Sequence, residues 1–242
     1  MGSIKTYIGC SGYHYDDWQG PFYPEGMKKE EWLSFYAEKF NSVEINNSFY
    51  NIPDKSTLKS WKERTPEEFR FTLKGSRYIT HMKKLKDPEP HVKKFLKGIE
   101  PLADKTGCIL WQLPGNLHVN LEKLENFCQA LSHDFIHVME FRHNSWFIEK
   151  TYDILSGYDH MAGCSLSAPG DLPENLLDIH HVAYIRFHGK GEWYNYHYSK
   201  KELQAWKNKI TSSDTRQLFA YFNNDVNAHA PENAGTFKDM IR

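Results

Sequence analysis

The chain has 242 residues, with 30 Lys plus Arg against 31 Asp plus Glu and a formal charge of −1. That balance excludes a polycation that coats nucleic acid and an acidic disordered tail protein. Apolar residues at 40% and aromatics at 15% suffice for a large core, and no apolar run approaches the ~18 residues needed to span a bilayer.

Strand-like runs recur along the chain: TYIGC (6–10), SVEIN (42–46), RFTLKG (70–75), GCILWQL (107–113), HVMEF (137–141), MAGCSL (161–166), VAYIRFH (182–188) and QLFAYF (217–222). Each is short, β-branched or aromatic, and bounded by turn-forming residues. Amphipathic segments separate most of them. Residues 28–40 place Trp32, Phe35, Tyr36 and Phe40 at helical spacing, and Asp54 precedes a helix over 55–61 as its N-cap. Helical patterns also cover 90–104 and 121–131, and Ser199 with Glu202 forms a capping box ahead of Leu203, Trp206 and Ile210. A last helix is expected from Pro231. Eight strands alternating with helices predict one α/β domain over 1–242, a TIM-barrel-like parallel (β/α)8 barrel. No GxGxxG or P-loop pattern is present, which argues against an open nucleotide-binding sheet.

Cys10, Cys108, Cys128 and Cys164 are scattered singly, so neither a disulfide framework nor a zinc knot is expected, and a cytoplasmic setting is. Gly2 and Thr6 satisfy the spacing for N-myristoylation, a pattern short enough to arise by chance.

Ligands of parallel α/β folds bind at the carboxyl ends of the strands. Here those ends are polar: Glu44 and Asn46, Lys74, Gln112, Glu140 and Arg142, Arg186 and His188, then Asn223, Asn224 and Asp225, with His229 beyond. Period-two alternation puts Glu44 with Asn46, Glu140 with Arg142, and Arg186 with His188 on common faces. Charges inside apolar strands are costly unless paired or gathered in a cleft. Two arrangements satisfy that constraint. Glu140 pairs with Lys74 and Glu44 with Arg186 as a plug of ion pairs, or all converge on a pocket. In the pocket reading Lys74, Arg142 and Arg186 hold an anion, while Glu44, Glu140 and His188 are the acid–base candidates. Asn46, Gln112, Asn223, Asn224, Asp225 and His229 complete the ligand-binding set. The donors Glu44, Glu140, His188, Asp225 and His229 form no local metal motif, so no cofactor is expected; a divalent metal is the alternative they leave open.

Several stretches together resemble one family. They are SGYHYDDWQGPFYP (11–24), FNSVEINNSFYNIP (40–53), FRFTLKGSRYITH (69–81), ILWQLP (109–114), EFRHNSWF (140–147), YIRFHG (184–189) and YFNNDVNAHAPENA (221–234). In this order they are similar to the YecE-like family, also called domain of unknown function 72. The resemblance implies a TIM-barrel-like fold and no established reaction. Likeness of such barrels to endonuclease-IV-type and sugar-isomerase barrels implies nucleic-acid binding as an alternative, although strand ends here carry too few histidines for a trinuclear zinc site. Relatives carry an acidic residue after strand six, where this chain reads CSLSAPG (164–170).

Three functions are therefore expected in competition: an enzyme acting on an anionic small molecule, a nucleic-acid binder, and a ligand sensor without turnover. The second draws on residues 70–97, where nine basic residues face only Asp87 and Glu89, and Tyr78 and His81 interleave. No membrane partner is expected.

Overall fold

A computed structural model describes residues 3–241. The myristoylation candidate Gly2 lies outside the described residues. Eight parallel strands, β1 (Lys5–Cys10), β2 (Ser42–Ile45), β3 (Arg70–Lys74), β4 (Thr106–Gln112), β5 (Ile136–Glu140), β6 (Met161–Ser167), β7 (Val182–Phe187) and β8 (Gln217–Phe222), pair in the order β1-β8-β7-β6-β5-β4-β3-β2. All eight expected strands are present, and they form a nearly closed barrel. A two-residue strand, Asp178–Ile179, adds to β7 in antiparallel fashion.

The seam lies between β1 and β2, where the only backbone bridge among the described residues joins Ser11 to Glu44. Side chains replace the missing ladder. Asn41 accepts from the Ile8 amide and donates to the Thr6 carbonyl, at 3.1 and 2.7 Å. The Tyr36 hydroxyl accepts from the Cys10 amide at 2.7 Å and donates to the Ser42 carbonyl at 3.0 Å. A Cβ on Gly9 would stand 1.9 Å from the Ser42 oxygen, so only glycine lets the two strands close.

Among the described residues seven helices of eight residues or more pack outside, α1 (Trp32–Lys39), α2 (Lys55–Glu63), α3 (Glu89–Ile99), α4 (Leu121–Gln129), α5 (Glu149–Ser156), α6 (Lys200–Thr211) and α7 (His229–Ile241), and a single helical turn, Asn47–Tyr50, follows β2. Asp54 caps α2 by accepting from the Thr57 amide, and Ser199 and Glu202 form the expected capping box. The segment 90–104 is not one helix. It passes into a 3-10 turn at Glu100–Lys105, where Pro101 has no N–H to continue the i→i−4 ladder. Helix α7 begins two residues ahead of Pro231, which sits in a first turn where no amide donor is required. Helix α5, only eight residues long, had no clear sequence signal. No helix among the described residues is long and apolar enough to cross a membrane.

Alternation along the strands separates two buried sets. Tyr7, Cys108, Leu110, Val138, Cys164, Tyr184, Phe219 and Tyr221 fill the barrel interior, whereas Ile109, Trp111, Met139, Ile185 and Phe222 face the helices. The four cysteines are free and buried, and burial raises every thiol, Cys128 to about 12. They are core hydrophobes, with too little thiolate at neutral pH to act as nucleophiles.

Candidate functional site at the barrel mouth

The carboxyl ends of the strands surround a cavity of about 860 Å3. Of the expected site residues, Asn46, Lys74, Gln112, Arg142, Arg186, His188, Asn223 and Asp225 line it. Glu44 and Glu140 lie just below, fully buried. Strand alternation produces this convergence, since Gln112 pairs in register with Glu140 and Arg186 with Tyr221.

Arg186 organises the floor. Its Nη2 lies 2.6 Å from Glu44 Oε1 and its Nη1 2.7 Å from Glu140 Oε2. Tyr184 donates to Glu44 Oε2 at 2.5 Å, and the Ser11 hydroxyl donates to Glu44 Oε1. Gln112 donates to Glu140 Oε1 at 2.7 Å, and Arg142 Nε donates to the same oxygen. Burying two carboxylates costs several kcal/mol each unless such partners are supplied. The expected Glu44–Arg186 pair is present. The Glu140–Lys74 pair is not: a planar guanidinium can bridge two carboxylates, which a single ammonium cannot do with the same geometry. Lys74 instead holds its Nζ 4.4 Å above the Phe49 ring.

These contacts change what the three expected acid–base residues can do. Burial alone would raise the Glu140 pKa, but Arg142 and Arg186 beside it hold the carboxyl well below the usual range. Its oxygens, like those of Glu44, are occupied. His188 is kept neutral by burial and by the neighbouring Arg186 and Arg142. Arg142 Nη2 is 2.8 Å from His188 Nε2, and Asn223 Nδ2 is 2.9 Å from Nδ1. Because arginine only donates, Nε2 accepts and the neutral ring carries its proton on Nδ1, an arrangement that is satisfied with the Asn223 side-chain amide turned so that its oxygen replaces Nδ2 as the partner. His188 thus orients Arg142.

The groups left facing the cavity are different. Lys74 Nζ and Arg142 Nη1 make no hydrogen bond or ion pair among the described residues. Burial, reinforced by Arg186 against the pull of Glu140 and Glu44, lowers the Lys74 pKa to about 8. Burial raises Asp225 to about 6, with Asp17 adding to the shift.

Asn224 and His229 do not line the cavity. Asn224 is fully buried and donates to the Tyr196 carbonyl at 2.6 Å and to Asn233 Oδ1 at 2.9 Å. It ties the loop after β7 to α7. Asn224→Ala should therefore cost about 1–3 kcal/mol of stability in urea denaturation, the penalty of a lost buried hydrogen-bonding group, and leave anion affinity unchanged. His229 stacks on His197 outside the mouth, ring centroids 4.8 Å apart.

Several residues of the floor and wall escaped the sequence reading. Ser11, just after β1, also accepts from Asn46 Nδ2 at 3.0 Å and Arg186 Nη2 at 3.2 Å. Tyr15, Asp171, Trp193 and Tyr194 line the wall, beside His81 of the basic segment. Asp171 supplies a carboxylate shortly after the CSLSAPG stretch. Tyr194 holds φ at +67°, a left-handed conformation costly for an aromatic residue and characteristic of functional loops. The exposed dipeptide Trp193-Tyr194 in a glycine-rich loop was the one signal that could have revealed this rim.

The family model described as "Protein of unknown function DUF72" matches residues 7–242. The chain is 24% identical to UPF0759 protein YunF of Bacillus subtilis over 97% of this chain and 94% of that protein. It is 34% identical to UPF0759 protein YecE of Escherichia coli over 48% of this chain and 43% of that protein. Among solved structures, a DUF72 family protein from Thermotoga maritima superposes with a TM-score of 0.86 at 30% identity, covering 98% of both chains. One from Enterococcus faecalis gives 0.78 at 20% identity, over 99% of this chain and 98% of that one, a likeness of fold. With a family match across nearly its whole length and a barrel of the same shape, the chain belongs to the DUF72 family.

Proposed function

We propose that the barrel mouth binds an anionic small molecule bearing phosphate or carboxylate, and that Asp225 moves the proton in an acid–base reaction on it. One observation carries this reading. Lys74 and Arg142 face the cavity with donors to spare, while the carboxylates beneath are already neutralised by Arg186 and by Arg142 through its Nε. A carboxyl with a pKa of about 6 is well matched to proton transfer near neutrality. Thermal-shift screening of phosphorylated and carboxylated metabolites against their neutral analogues tests the proposal. An anion at 100 times its Kd adds about 2.7 kcal/mol, or roughly 5–11 °C for a chain of this size. Equal stabilisation by neutral analogues, or persistence of the shift in a Lys74→Met/Arg142→Met double variant, would overturn it. Turnover unaffected by Asp225→Asn would remove the proton-transfer role and leave a binding site.

Exposed aromatic side chains support a second reading, single-stranded nucleic acid. Tyr50, Tyr78, Trp193 and Tyr194 are 69%, 42%, 38% and 44% exposed. Tyr50, Trp193 and Tyr194 line the mouth, and Tyr78 shares an adjoining groove with Tyr50 and Lys94. Bases stack on such rings while lysines follow the phosphates. Charge reversal at Lys83, Lys84 and Lys86 together should lower the logarithmic salt slope of binding by about 0.7–0.9 per lost phosphate contact. Absence of binding by the wild-type chain near ~50 mM salt would make the 70–97 segment solvated surface.

A further inference from the structure

We propose a second site on the outer side of the mouth, where His197, His229 and Glu232 hold a divalent transition metal of the zinc class. One donor atom from each residue lies within 4.8 Å of the others. His197 Nε2 and Glu232 Oε1 are already 3.3 Å apart, the spacing of two ligands around a tetrahedral ion with bonds of ~2.0–2.2 Å. The remaining donor separations are at most 4.8 Å, so side-chain rotation closes the set, and the His229 ring is held near by its stack on His197. Two imidazoles and a carboxylate suit zinc, nickel or copper, and exclude calcium and magnesium, which prefer all-oxygen sites.

The scaffold brings the three together by design of the backbone. His229 and Glu232 stand one turn apart on α7 and share a face. His197 comes from the loop after β7 and is clamped on both sides. Asn233 accepts from the Tyr198 amide at 3.0 Å and donates to the Tyr198 carbonyl at 2.9 Å, while Asn224 holds the Tyr196 carbonyl. The positive end of α7 opposes a cation, but that field is weak beside direct ligation by three donors. The same loop carries Trp193 and Tyr194 on the cavity wall. A metal held here fastens the rim of the mouth to α7.

Calorimetric titration of the chelator-treated full chain with zinc tests the assignment. One zinc per chain is expected. His197→Ala and His229→Ala should each weaken its uptake about tenfold or more, and the exposed pair His180→Ala/His181→Ala should not. Cobalt should give the intense visible bands of a four-coordinate ion in the wild type, lost in Glu232→Gln. The His197 and Glu232 side chains are 47% and 65% exposed, so their variants keep the fold even where His229→Ala does not. Zinc taken up with unchanged affinity by His197→Ala, or not taken up by the wild-type chain, would overturn the proposal.

Discussion

Replacing Arg186 with methionine should destabilise the fold by about 3–5 kcal/mol, the cost of stranding a buried charge. Glu44 and Glu140 are fully buried and both depend on this guanidinium. For a chain of this length the loss corresponds to a melting point lower by roughly 6–20 °C. Neutralising the carboxylates at the same time, in a Glu44→Gln/Arg186→Met/Glu140→Gln triple variant, should recover much of it, because a neutral isosteric cluster no longer demands a counter-charge. Calorimetric melting of both variants checks the pair. A single variant as stable as the wild type would mean that water reaches the floor and screens it.

The same network predicts the acid side of the stability curve. The folded Glu140 carboxyl sits below its ordinary value of 4.5, so in acid the unfolded chain binds the extra proton. Its contribution is fully present above that value and declines as pH falls toward the folded pKa. Glu140→Gln should therefore flatten the loss of stability with acidification below about pH 5.

Lys74→Met should weaken sulfate binding roughly 10–150-fold, the effect of one charge-assisted hydrogen bond of about 1.5–3 kcal/mol. Sulfate is the useful probe because its own charge is constant across the pH range examined. Arg186, Arg142, Glu140, Glu44 and His81 surround this lysine electrostatically. Of these, His81 titrates near 4, lowered by burial and by Lys74 itself. With a Lys74 pKa of about 8, the ammonium is present below that pH and lost above it. Affinity in the wild type should fall as pH rises through 8, and the Lys74→Met profile should be flat there. The same fall in both proteins, measured calorimetrically, would assign the titration elsewhere and remove Lys74 from the site.

Arg186 illustrates what separates a residue's chemistry from its position. Its residue type suits anion recognition, and alternation correctly turns it into the barrel. Both ends of its guanidinium are nevertheless consumed by carboxylates from β2 and β5. Which cation stays free depends on depth along the barrel axis, and strand register sets that depth. Lys74 and Arg142 end nearer the rim, so their donors reach the cavity.

The eight strands and most of the helices were legible in the sequence because each carries a local pattern: short apolar runs between turn residues, a capping Asp54, a Ser199–Glu202 box. Chain alternation of strand and helix then leaves a parallel barrel as the natural closure. Only the tertiary structure decided the rest. The β1–β2 seam depends on Asn41, Tyr36 and Gly9 meeting across more than 25 residues of chain, and no local propensity encodes that meeting. Ser11, Trp193 and Tyr194 reach the mouth from loops whose path is dictated by packing. Asn224 and His229, adjacent in sequence to mouth residues, turn away because α7 claims them. Periodicity reports which face of a strand is buried; partners on that face are chosen by register and by the need to neutralise every buried charge.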